Sequence, residues 1–79
     1  MSPTVFRAAG LRFFFFSREE PRIHIHAIGP GGEAKFWLEP SIEVARNHNL
    51  SDREIRTALR LIEEREDEIT TAWQSHFGS

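Results

Sequence analysis

The chain contains no cysteine. Neither a disulfide framework nor a thiolate metal centre is open to it. Lysine is nearly as scarce: nine of the ten cationic side chains are arginine, and Lys35 is the exception. Long hydrophobic runs are missing as well. The aromatic stretch Phe13 to Phe16 is too short to span a bilayer, and no membrane partner is expected. No stretch resembles a signal peptide, so a cytoplasmic, bacterial-type domain is expected. There is no Gly-rich phosphate loop, nucleophile elbow or Walker motif, and no cofactor is implied. No repeat, linker or low-complexity tract divides the 79 residues, so a single domain, 1–79, is expected. A chain of this length buries a modest core and has little stability to spare.

The formal net charge is −2, unevenly spread. Residues 1–50 carry six basic and five acidic side chains; residues 51–79 carry four and seven. Arginine suits bidentate recognition of carboxylate or phosphate, although a genomic bias towards arginine would give the same count.

What the chain does have is centred on residues 22–39. Isoleucine and histidine alternate from Ile23 to His26, the period of a half-buried strand. Ala34 to Glu39 alternate again, and Gly29-Pro30-Gly31-Gly32 supplies a turn between them. No helix follows these glycines, so they form a hairpin turn and not an anion cradle. This register sets His26 opposite Lys35, His24 opposite Trp37 and Arg22 opposite Glu39. Ile23, Ile25, Ala27, Ala34, Phe36 and Leu38 fall on the other face. A slip of one residue would mix the two sets.

Upstream, Thr4 to Ala8 and Leu11 to Ser17 read as strands joined at Ala9-Gly10. Pairing Ala8 with Leu11 puts Phe6, Phe13 and Phe15 on one face and Arg7, Arg12, Phe14 and Phe16 on the other. Pro21 is expected to open the third strand, where a missing N–H does least harm. Ser41 to Asn47 is a candidate fifth strand with Ile42 and Val44 inward, in competition with a helical turn. Ser51-Asp52-Arg53-Glu54 is a capping box, flanked by Leu50 and Ile55 as a hydrophobic staple. The helix is expected from about Asp52 to Phe77, with Gly78 as C-cap. Its apolar stripe is Ile55, Leu59, Ile62, Ile69, Trp73 and Phe77, interrupted by Glu66. The charged run Glu63 to Glu68 marks either a bend or an overhang. The expected fold class is α+β: an antiparallel meander of four to five strands, about 4–47, with one long C-terminal amphipathic helix, about 52–77, packed on one face.

The polar sheet face carries the candidate chemistry. His24 and His26 project to one side of a strand about 7 Å apart, a spacing that can chelate a metal. Such a site needs a third ligand, from Glu39, Glu20 or His48; structural strand histidines are the plainer reading, and no metal site is assigned. A metal-independent ribonuclease needs a base, an acid and a cation on the phosphate. His24, His26, Lys35 and Arg12 fill those catalytic roles if the two hairpins share a sheet. Arg7, Phe14, Arg22, Trp37 and Glu39 are the candidate binding residues. Cations interleaved with rings suit single-stranded RNA, with charges on phosphates and rings under bases. For Arg22 and Glu39, a cross-strand ion pair is the simpler expectation.

Pro3-Thr4-Val5, Gly10-x-Arg12 followed by four phenylalanines and Ser17, Pro21-x-x-His24-Ile25-His26, Ala34-Lys35-Phe36-Trp37-Leu38, and a helix ending Ala72-Trp73 and Phe77-Gly78 together resemble the bacterial domain-of-unknown-function family 4160. The resemblance covers nearly the whole chain. It implies a toxin-like component of a type II toxin–antitoxin pair, with a cognate antitoxin-like small protein as partner. On the residues, the target of such a component would be RNA or the translation machinery. The alternatives are a non-catalytic binding module, acting as antitoxin or regulator and forming a homodimer, and a metal-binding protein using His24 and His26.

Overall fold

The computed structural model describes residues 4–16 and 21–77. Five strands form one antiparallel sheet in chain order: β1 (Thr4–Ala8), β2 (Leu11–Phe14), β3 (His24–Ile28), β4 (Glu33–Trp37) and β5 (Glu43–His48). Two helices follow, α1 (Asp52–Glu64) and α2 (Glu66–Phe77). The α+β meander is as expected, and the two hairpins do share a sheet through Phe13–Ala27 and Phe14–His26.

Turn chemistry sets the registers. Ala9 and Gly10 both adopt positive φ, 54° and 77°, which matches a two-residue hairpin turn to the strand twist. Ala8 therefore pairs with Leu11. The Gly29 N–H donates to the Gly32 carbonyl at 2.9 Å and closes the second hairpin. His26–Lys35 and His24–Trp37 then pair as the alternation predicts. Gly32 has a second duty: a side chain there would collide with the His48 carbonyl.

Several boundaries differ from expectation. β3 begins at His24 and not at Pro21, although the Leu38 N–H still donates to the Ile23 carbonyl at 3.1 Å. β2 ends at Phe14, and Ser17 lies outside the described residues, as do Glu20 and Gly78. β5 starts at Glu43, and a register shift opposite Lys35 and Phe36 leaves Ala45 extra. Val44, expected inward, is 40% exposed on this outermost strand, whereas Ile42 does pack on the core. β1 also carries an irregularity, at Val5. Bulges on both outer strands twist the edges and disfavour edge-to-edge pairing.

The core lies between the sheet and the helices. Phe13, Phe15, Ile25, Ala27 and Phe36 from the sheet side meet Ala58, Leu61, Ile62 and Ile69 from the helices. Phe6 and Phe13 stack at 4.3 Å across β1 and β2. The capping box is formed: the Glu54 N–H donates to Ser51 Oγ at 3.1 Å, and the Ser51 N–H donates to Glu54 Oε1 at 2.9 Å. Asn47 holds the preceding turn, accepting from the Leu50 N–H and donating to its carbonyl, both at 3.0 Å. The helical run bends at Arg65, whose N–H is shared between the Leu61 and Ile62 carbonyls. Its guanidinium lies 4.4 Å from the Phe6 ring, so the bend covers the Phe6–Phe13 stack. No helix among the described residues is long and apolar enough to cross a membrane.

Candidate nucleic-acid interface

On the face away from the core, side chains line up in rows across the strands. One row reads Phe14, His26, Lys35, Arg46 from β2 to β5. The next reads Arg7, Arg12, Ile28, Glu33, His48 from β1 to β5. At the middle of the sheet these rows enclose a groove of about 330 Å³, lined by Phe16, His26, Glu33, Lys35, Arg46 and His48. Phe16 stands at its rim, 40% exposed. The groove combines cations, imidazoles and a ring, and Glu33 is its one carboxylate.

The two strand histidines are side by side, rings 5.2 Å apart, but they do not stand on an open surface. His24 is fully buried and His26 is 6% exposed. Phe14 stacks on the His26 ring at 5.5 Å, and Phe16 meets it edge-on at 4.4 Å. Around His24 stand Trp37 at 5.5 Å and, from α2, Trp73 at 5.2 Å. Trp73 also touches Phe15 at 5.4 Å. The end of α2 thus closes over the start of β3, and the expected separation of His24 from the helix does not hold there. His24 Nδ1 lies 2.7 Å from the Arg22 carbonyl, which orients the ring.

The four residues expected to act together are therefore divided. His26 and Lys35 share the groove. His24 is buried and does not line it. Arg12 lines a second groove of about 520 Å³ with Arg7, Leu11 and Ile28. Its Nε donates to Thr4 Oγ1 at 2.7 Å and its Cζ lies 4.7 Å from the Phe14 ring centre, so the guanidinium is held in place. Phe14, one of the candidate binding residues, is 4% exposed, so the ring offered to a ligand on this face is Phe16. Trp37 has the Arg22 Cζ at 4.0 Å and the Lys35 Nζ at 4.4 Å from its ring, within cation–π range. Arg22 meets Glu39 at the backbone and not the carboxylate: its Nε donates to the Glu39 carbonyl at 2.8 Å. No group of three His, Cys, Asp or Glu suited to a metal occurs among the described residues.

Sequence reasoning missed Arg46 and His48 as members of the groove. A regular ladder continued from Phe36–Val44 would set Ala45, not Arg46, opposite Lys35. The bulge at Ala45, which shifts the register of β5, has no signature in its residues.

Neither a curated protein nor a solved structure matches the chain. The model of one family, the domain of unknown function DUF4160, matches residues 10–74. That span holds the four groove cations and imidazoles, His26, Lys35, Arg46 and His48, and most of both helices, and the chain belongs to the DUF4160 family.

Proposed function

We propose that this protein is the toxin-like member of a two-protein pair and that its sheet face engages single-stranded RNA. The observation that carries the RNA reading is the groove itself. Lys35 and Arg46 stand opposite each other on adjacent strands, with Phe16 at the rim and His26 and His48 alongside. Cations take phosphates and an exposed ring takes a base, without needing a deep pocket. Seven of the twelve acidic residues lie on the helices, at Asp52, Glu54, Glu63, Glu64 and Glu66 to Glu68, and Glu33 is the one carboxylate lining the groove. The pairing with a cognate antitoxin-like small protein rests on the family resemblance.

Burial of His24 favours binding over the cleavage chemistry expected of the His24/His26 pair. If the bound strand is cut, the acid–base work falls to His26 and His48 across the groove, with Lys35 and Arg46 on the phosphate. His24 then acts as a positioning residue for the His26 ring.

Two measurements test this. Induced expression should arrest growth, co-expression of the neighbouring gene should relieve the arrest, and Lys35→Gln with Arg46→Gln should abolish it. Normal growth on expressing the unaltered protein would remove the toxin reading. A labelled single-stranded RNA incubated with the protein separates sequestration, which leaves it intact, from cleavage, which shortens it.

A further inference from the structure

The groove has a feature that phosphate binding does not need. Glu33 is exposed on its wall, two residues along β4 from Lys35, hence about 7 Å away. A carboxylate repels a phosphate, so Glu33 opposes the work of Lys35 and Arg46 unless it faces another part of the ligand. The groove's volume, about 330 Å³, is at the small end of ligand pockets. It has a cationic end at Lys35 and Arg46, a ring at Phe16 and an acceptor end at Glu33.

Resting on the RNA reading above, we propose that Glu33 selects the base that occupies this groove, and that the favoured base is guanine. An ionised carboxylate only accepts hydrogen bonds. Guanine presents two adjacent donors on its pairing edge, the N1–H and the N2 amino group, which match both carboxylate oxygens. Cytosine and adenine present one amino group each beside an acceptor nitrogen. Uracil presents a single N–H between two carbonyl oxygens, and those oxygens face the carboxylate unfavourably. The order of preference is therefore guanine, then cytosine and adenine, then uracil. A bidentate contact of this kind discriminates by about 1–3 kcal/mol, or roughly 5- to 150-fold. His48 lies opposite Glu33 on β5 and is the neighbouring side chain that a purely structural role would involve.

The test titrates the full chain with the four ribonucleoside 5′-monophosphates and follows the amide resonances of β4 and β5. The expected result is tightest binding by the guanosine nucleotide and weakest by the uridine nucleotide. Glu33→Gln should collapse that difference, because an amide offers a donor as well as an acceptor, and uridine should gain relative to guanosine. Equal affinities for all four that still fall in Lys35→Gln/Arg46→Gln would overturn the base preference and leave the RNA site standing. The same holds if Glu33→Gln scales all four alike, the signature of a carboxylate that only holds His48. No binding of any nucleotide, or binding indifferent to Lys35 and Arg46, would overturn both.

Discussion

The two faces of this sheet are buried by different means. On the core face, Phe13, Ile25, Ala27 and Phe36 are fully covered by a second layer, the helices. On the opposite face His24 and His26 are nearly as buried, yet the cover comes mainly from rings beside them: Phe14, Phe16, Trp37 and, at one end, Trp73. A layer of helix is insensitive to what binds outside it. A cover of side chains around a cationic groove is not, because one of the rings that shield His26, Phe16, also lines that groove. The core face therefore answers to stability and the groove face to binding, and substitutions can separate them.

The largest effect should come from the core face. Phe36→Ala removes a fully buried ring and should cost about 3–5 kcal/mol, enough to unfold much of so small a domain. Thermal unfolding followed by circular dichroism checks it, and an unchanged midpoint would mean the helices do not cover the sheet as described. His24→Ala comes next. It leaves the Arg22 carbonyl without its buried imidazole and should cost about 1–3 kcal/mol. A neutral result would return His24 from the interior to the open face. Ser51→Ala should cost about 1 kcal/mol through the lost N-cap. Ala9→Gly should do the reverse, gaining about 1 kcal/mol by relieving a left-handed alanine. Smallest of all, Lys35→Gln with Arg46→Gln should change stability by no more than about 0.5 kcal/mol, since neither is a core residue.

Much of this division was legible in the residues. Alternation through His24 to Ile28 and Glu33 to Trp37 determined which side chains share a face, because a period of two leaves only one register that keeps the apolar set together. The capping box at Ser51 and Glu54 located the start of α1 from local chemistry alone. What could not be read was tertiary. Ser41 to Asn47 gives no sign that Ala45 will be an extra residue, the one that lets Val44 share the face of Phe36 while Arg46 shares that of Lys35, so the groove's far wall, Arg46 and His48, was not assembled. Nor does the helical stripe say that the run bends at Arg65 to cover Phe6, or that Trp73 reaches round to His24. Histidines on a polar-looking face read as exposed, and only the bulk of the neighbouring rings shows that they are not.

The central claim is that the groove between β3 and β5 holds the phosphates of a single RNA strand. Its most direct test is the salt dependence of binding to a fluorescent single-stranded RNA, measured for the unaltered protein and for Lys35→Gln/Arg46→Gln. Losing two phosphate contacts should weaken binding and lower the slope of log K against log salt by about 1.4, at roughly 0.7 per contact for single strands. An RNA that fails to bind, or one whose affinity and slope are the same in both proteins, would contradict it.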